Sequence, residues 1–247
     1  MSKQKTILVS NKDFVYGVKH NYYPEISEIN NGNVLVCTEN YLEKKGINLI
    51  EKSNDEDAIY VYNQYSDTYM PVNKPDIARI LFIDKAIAIR EALVALGAKH
   101  ISITNEIEDI KDIQDVATIS GKGVCGSGQV DGKYRKQLRL KLKSTIKSND
   151  PHRTPSSIEV CSKSIYEKGL SHNTNIISLF NRMKDSKEQR LFGEERVSLE
   201  YEEELKHSFD VAVGLSKHKI LSVKVENSYS SSVLHSFKYE IIVDFGD

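Results

Sequence analysis

The chain has 247 residues, of which 34 are basic and 35 acidic, and its formal net charge is −1. This length is sufficient to bury a hydrophobic core without disulfides or metal ions, and the balanced charge excludes a global field that would attract nucleic acid or an anionic bilayer. The three cysteines are widely spaced and odd in number, which is more typical of a reducing compartment than of a secreted disulfide framework.

The first hundred residues alternate short apolar segments with polar loops. This pattern predicts β-strands at residues 6–10, 33–38, 58–63 and 100–104. Asn73-Lys74-Pro75-Asp76 is a favourable helix start, because Pro is tolerated in the first turn and Asp76 complements the helix dipole. Gly97 is a favourable stop, so we expect one long helix at about residues 76–96.

Aromatic residues are concentrated in the first seventy positions. They are Phe14, Tyr16, Tyr22, Tyr23, Tyr41, Tyr60, Tyr62, Tyr65 and Tyr69. Tyrosine combines apolar area with a polar hydroxyl and is favoured at protein contact surfaces, although Tyr60 and Tyr62 also fit one face of a strand. A binding surface in this half of the chain and a strand face lined by tyrosines therefore stay open as interpretations.

A cationic segment is predicted to form a long β-ribbon that ends at Lys147. Its even positions are apolar: Val130, Tyr134, Leu138, Leu140, Leu142 and Ile146. The odd positions, on the opposite face of the ribbon, are basic: Lys133, Arg135, Arg139, Lys141, Lys143 and Lys147. A structural salt ladder with Glu200, Glu202 and Glu204 on a neighbouring strand explains these charges best. Two alternatives stay open, namely an anionic partner (a membrane or nucleic acid) bound by the like charges on one wet face, and protection of a sheet edge.

The glycine-rich run at residues 121–128 contains a GxGxxG spacing. It leads into the predicted ribbon and not into a helix, so it does not fit a dinucleotide-binding loop. A bend or bulge in the ribbon, or a loop, explains these glycines better.

A crowded polar cluster follows the ribbon. Asp150, His152 and Arg153 place an acid, an imidazole and a guanidinium within four residues, a combination that suits acid–base chemistry or phosphate contact. Asn-Asp-Pro is equally the composition of a turn between strands. A strand at residues 157–162 and a short helix at about residues 173–184 are predicted next.

The C-terminal quarter carries apolar residues at nearly every odd position from Val197 to Phe245. A period of two sustained over this distance predicts long antiparallel strands with one buried face, joined by turns near residues 217–219 and 227–231.

These patterns predict an α+β fold. It contains a large antiparallel sheet with unusually long strands, one long helix at about residues 76–96 and one short helix at about residues 173–184. We expect a single domain over residues 1–247, with a subdivision near residues 105–115.

No motif for a metal site, a nucleophilic triad or a phosphate-binding loop is found in the sequence. We therefore expect a non-catalytic cytoplasmic protein without cofactor or metal, which binds a protein partner or assembles with itself. The first alternative is a membrane-active or pore-forming effector that uses amphipathic β-hairpins. The second is an enzyme acting on nucleic acid or nucleotides through Asp150, His152, Arg153 and Glu204.

Overall fold

The computed structural model describes residues 5–26, 34–53, 56–73, 77–104, 140–200, 210–212, 214–215 and 238–246. The strands are β1 (Thr6–Val9), β2 (Val34–Cys37), β3 (Ala58–Asn63), β4 (Thr68–Pro71), β5 (His100–Ile103), β6 (Ser148–Asn149), β7 (Glu194–Glu200) and β8 (Lys238–Asp244). The helices are α1 (Lys12–Lys19), α2 (Glu39–Lys45), α3 (Ile77–Ala95), α4 (Ile158–Tyr166) and α5 (Thr174–Asp185). Residues 140–146 are also helical.

The chain forms two compact units. The first unit contains residues 1–78 and 202–234, and the second contains residues 79–201 and 235–247. The single domain stays a prediction, and the subdivision predicted near residues 105–115 lies outside the described residues.

The first unit is built on a sheet with the strand order β2-β1-β3-β4. β1 and β2 are parallel, whereas β3 is antiparallel to both β1 and β4. Parallel neighbours need a crossover connection, and α1 lies in that connection. Residues 48–50 bond to the backbone of Tyr69, so they cover the outer edge of β4.

Both faces of this sheet are buried, and each is covered by a different helix. One face contributes Leu8, Val34, Val36, Ile59 and Val61 to a cluster with Phe14, Val15 and Val18 of α1. The other face contributes Ile7, Cys37, Ala58 and Tyr60 to a cluster with Leu42 of α2. α1 and α2 therefore lie on opposite faces of the sheet.

The second unit is built on an antiparallel sheet with the order β6-β5-β8-β7. The odd positions of β7 and β8 from Val197 onward are fully buried: Val197, Leu199, Tyr239, Ile241 and Val243. Val197 pairs with Ile241, and Leu199 pairs with Tyr239. The predicted burial with a period of two is confirmed for these two strands.

Most of helix α3 lies in the second unit, where its residues are buried or half-buried. None of the described residues at positions 79–95 is exposed. The ring of Phe82 lies 6.0 Å from that of Tyr239 on β8. Lys85, which is only 5% exposed, donates from Nζ to the carbonyl oxygen of Glu200 at 2.8 Å.

The predicted α+β class is confirmed, but the details of the sheet were wrong. The described residues form two four-stranded sheets, one with a parallel pair, and not one large antiparallel sheet. The longest described strands, β7 and β8, have seven residues each, so they are not unusually long. α3 spans 19 residues where a helix was predicted at about 76–96, and α5 lies where a helix was predicted at about 173–184. The other helices with defined bounds in the described part have seven to nine residues.

The ribbon predicted to end at Lys147 was wrong in its described part, because residues 140–146 are helical. Leu142 and Ile146 are fully buried, whereas Leu140 is 60% exposed. A spacing of four residues fits both a strand face and a helix face, so Leu142 and Ile146 could not separate the two structures.

Two other segments predicted as strands are helical. Residues 157–162 begin α4, where the Ser157 side chain accepts from the backbone N–H of Val160 as an N-cap. Residues 210–212 and 214–215 are helical within the predicted C-terminal meander, and Ala212 and Leu215 are fully buried there at helical spacing. The turns predicted near 217–219 and 227–231 lie outside the described residues.

Candidate functional site

Only three of the six basic residues of the predicted ribbon lie in the described part of the chain, and those three do not form a flat cationic face. Lys133, Arg135 and Arg139 lie outside the described residues, as does the glycine bend at 121–128. Lys141, Lys143 and Lys147 are exposed. Lys141 and Lys143 are separated by about 200° around the helical segment. Their predicted role in binding an anionic partner stays a prediction.

The salt ladder and the amphipathic hairpin depended on the same ribbon. β7, which carries Glu200, pairs with β8, and Glu202 and Glu204 lie outside the described residues. The helix at residues 140–146 replaces the end of the proposed hairpin. No described helix combines the length and apolar character that are needed to cross a bilayer.

Asp150, His152 and Arg153 come together in a turn. The backbone N–H of His152 donates to Asp150 Oδ1 at 3.2 Å, and that of Arg153 donates to the Asp150 carbonyl oxygen at 3.2 Å. Arg153 Nη2 lies 3.6 Å from Asp150 Oδ2. The interpretation of this cluster as a turn therefore accounts for the contacts of Asp150 and Arg153.

Arg153 also ties this turn to the rest of the second unit. Its Nη1 donates to the carbonyl oxygen of Ala98 at 2.7 Å and to Ser148 Oγ at 3.1 Å. Its side chain is only 18% exposed. These two hydrogen bonds and the ion pair with Asp150 give Arg153 a structural role.

A groove in the first unit has more of the features of a binding site. It has a volume of about 310 Å³ and lies between α1, β2 and the start of α2. We call it the edge groove, and its lining consists of Lys12, Val15, Tyr16, Lys19, Leu35, Val36, Cys37, Thr38 and Tyr41. Because α1 and α2 cover opposite faces of the sheet, the groove follows the side of β2 between them.

Three exposed rings stand beside the edge groove at the end of α1. They belong to Tyr16, His20 and Tyr22, and we call them the tyrosine surface. The Tyr16 ring lies 4.0 Å from His20 and 6.3 Å from Tyr22, and the His20 and Tyr22 rings are 6.2 Å apart. Tyr16 is 56% exposed and Tyr22 is 67% exposed. The three rings pack against one another while much of their surface stays in water.

Local sequence explains why Tyr16 points outward. Asn11 caps α1 by accepting from the backbone N–H of Phe14 at 2.8 Å, which fixes the start of the helix. Phe14, Val15 and Val18 then face the sheet and are buried. Lys12, Tyr16 and Lys19 recur at i, i+4 and i+7 and share another face of α1.

Lysines surround these aromatic residues. Lys12 and Lys19 line the edge groove with Tyr16. Lys45 Nζ lies 5.9 Å above the ring of Tyr41, which is itself 41% exposed. The surface therefore combines exposed aromatic area with positive charge, and Asp13 is the acidic residue in the first turn of α1.

The cysteine in the groove is unsuited to nucleophilic chemistry. Cys37 is 4% exposed, and burial raises the pKa of its thiol to about 11, although Lys19 acts in the opposite direction. The thiol is therefore protonated near neutral pH, and it is the thiolate that reacts. Within the described ranges, no three His, Cys, Asp or Glu side chains converge as a metal site.

The sequence pointed to the aromatic residues of this half but could not separate contact residues from core residues. Tyr60, Tyr65 and Tyr69 are buried, whereas Tyr16, Tyr22 and Tyr41 are exposed. The signal that could have separated them is the N-cap residue Asn11. It marks the start of α1, and the helical spacing that follows shows which residues of α1 face water.

Comparison of the chain with protein-family models, curated protein sequences and solved structures gave no match.

Proposed function

We propose that this is a non-catalytic cytoplasmic interaction protein that binds a segment of another protein through the tyrosine surface and the edge groove. The observation that carries this proposal is the stack of Tyr16, His20 and Tyr22, in which Tyr16 and Tyr22 are more than half exposed. Aromatic residues are enriched at protein interfaces and often provide most of the binding energy.

The rings are arranged in a way that favours binding. Packing of Tyr16 against His20 at 4.0 Å restricts both side chains before any partner arrives. A partner then loses less conformational entropy when it covers them, which raises affinity. The exposed rings are not needed to fill the core, because Phe14, Val15 and Val18 of the same helix already do so.

The edge groove gives the partner a backbone to pair with. β2 is the edge strand among the described residues of its sheet, and Cys37 directs its carbonyl oxygen toward β1 by accepting from the N–H of Ser10. Since backbone groups alternate along a strand, Val36 directs its N–H and carbonyl away from β1. An extended segment in the groove would add to this edge, as in β-strand addition.

The charge of the surface supports an acidic partner. Lys12 and Lys19 line the groove, and Lys45 lies above Tyr41. A symmetric dimer through this face would bring the same lysines together, which disfavours self-association here. We therefore favour a partner segment in which acidic side chains alternate with apolar ones.

Site-specific photo-crosslinking tests this proposal. A photoreactive phenylalanine analogue replaces Tyr16 in one variant and Tyr166 in a matched control, in cells that produce the protein naturally. Tyr166 is also an exposed tyrosine, at 53%, but it lies on α4 in the second unit. We expect a discrete adduct at position 16 whose crosslinked peptide is acidic.

Three results would count against the proposal. The binding role of this face is wrong if position 16 gives no adduct, or the same adducts as position 166. An adduct of twice the mass of the chain would show that this face binds a second copy of the chain and not the proposed partner.

A further inference from the structure

A cleft in the second unit has the character of a small-ligand site. It has a volume of about 450 Å³, which is within the range of small-molecule sites in proteins. Its apolar lining includes Leu191 and Phe245, which are buried, and Phe192, which is 42% exposed. Lys99, Arg153 and Arg190 line the same cleft.

One wall of the cleft is fixed by backbone contacts with the end of α3. Gly97 has φ +93°, and a Cβ at this position would lie 2.9 Å from the backbone nitrogen of Pro155. Ser156 donates from its N–H to the carbonyl oxygen of Ala95 at 2.8 Å. Together with the bond from Arg153 to Ala98, these contacts hold the loop after β6 against α3. This wall is preformed.

The other wall presents a cation and an aromatic ring as a pair. The guanidinium of Arg190 lies 4.3 Å above the centre of the Phe192 ring. Arg190 Nε also lies 2.6 Å from Glu188 Oε2. The Glu188 side chain is 61% exposed, so its carboxylate can turn to solvent when another anion takes its place on Arg190.

The cations of the cleft differ in their availability. Arg153 is only 18% exposed and donates to Ala98 and Ser148, so it is committed to the turn. Lys99 lies against Gly246, and none of the described residues forms a hydrogen bond or an ion pair with its Nζ. Lys99 is therefore available to a ligand, and Arg190 becomes available when Glu188 turns to solvent.

We propose that this cleft binds a small organic phosphate, specifically a phosphate monoester attached to a planar ring. The two charges of the phosphate match Lys99 and Arg190, and a guanidinium is suited to two parallel hydrogen bonds to phosphate oxygens. The exposed part of Phe192 offers a surface on which the planar ring stacks. This site lies in the other unit from the tyrosine surface and does not depend on the function proposed there.

Isothermal titration calorimetry with phenyl phosphate tests the site on the full chain. We expect binding that Lys99→Gln weakens roughly tenfold, the effect of losing one charged hydrogen bond. Glu188→Gln is expected to tighten binding, because it removes the carboxylate that competes for Arg190. Lys184→Gln, a change at an exposed lysine of α5, is the matched control and should leave binding unchanged.

The opposite signs expected for Lys99→Gln and Glu188→Gln separate a binding effect from a loss of folding. Inorganic phosphate should bind more weakly than phenyl phosphate if the ring contributes. The proposal is overturned if phenyl phosphate gives no binding at millimolar concentration, or if Lys99→Gln and Lys184→Gln behave alike. Equal affinity for inorganic phosphate would refute the ring contact with Phe192.

Discussion

Arg153 donates from Nη1 to the carbonyl oxygen of Ala98 at 2.7 Å, across 55 positions of sequence. The bond joins the loop after β6 to the segment that follows α3, and Ser148 Oγ accepts from the same nitrogen at 3.1 Å. A residue that the sequence marked as a candidate for catalysis thus holds two parts of the second unit together.

Replacing Arg153 by Gln is expected to destabilise the protein by about 2 kcal/mol, because hydrogen bonds to a charged group are lost and Ala98 keeps an unpaired carbonyl. His152→Ala is the matched control, because only the backbone of His152 bonds within the turn and its side chain is exposed. Urea unfolding of both variants measures the difference. Equal free energies of unfolding would contradict the structural role of Arg153.

Leu142 and Leu140 separate the helix from the predicted ribbon. Leu142 is fully buried and Leu140 is 60% exposed, so Leu142→Ala should cost about 3 kcal/mol and Leu140→Ala less than about 0.5 kcal/mol. On a β-ribbon, both even positions would share one face and both changes would have similar effects. Similar losses of stability for the two variants, measured by thermal or urea unfolding, would support the ribbon and contradict the helix.

The sequence was sufficient to predict an element where the period of its apolar residues and the length of the segment indicated the same structure. The apolar residues of β7 and β8 recur at odd positions from Val197 onward, and these residues are buried as the pattern indicated. The region of α3 could be recognised because its apolar residues extend beyond the length of an ordinary strand and Gly97 ends the pattern. These signals are local, so they do not need the rest of the fold.

Short helices were missed because their apolar spacing also fits a strand or is interrupted by polar residues. The segments of α1 and α2 fall among the predicted polar loops, although Asn11 and Gly46 provide capping signals at their ends. Cys161 and Ile165 in α4 have the spacing of four residues that both structures share. Capping residues would have decided these segments, since Ser157 bonds to Val160 only in a helix.

The candidate sites depended on contacts that no local pattern shows. The bond from Arg153 to Ala98 requires the assembled second unit, and the packing of Tyr16 on His20 requires the helix α1. The cleft brings Lys99, Arg153 and Arg190 together from distant parts of the chain. From the sequence alone, only the turn-forming composition around Asp150 and the excess of tyrosines in the first seventy residues were visible.

The stability of the protein is expected to fall as pH rises from 9 to 11. The pKa of Cys37 is raised by burial from 9.0 to about 11, so the thiol of the unfolded chain ionises first. The stabilisation is complete below pH 9 and is lost as the pH passes through the folded pKa, a change on the order of 2 kcal/mol. Urea unfolding at several pH values measures this slope.

Cys37→Ala provides the control for this dependence. The variant has a different stability at every pH, but its loss between pH 9 and 11 should be smaller. Burial also raises the pKa of Tyr69 to about 12, which contributes to both proteins at the upper end of the range. An identical slope with and without the thiol would rule out Cys37 as its source.

The affinity of the partner captured at position 16 tests the proposed function most directly. Its dissociation constant is measured for the unmodified chain, for the Tyr16→Ser/Tyr22→Ser double variant and for Tyr166→Ser. Loss of two exposed interface rings should weaken binding by about 100-fold or more, whereas Tyr166→Ser in the second unit should have no effect. An unchanged dissociation constant in the folded double variant would contradict the tyrosine surface as the docking face.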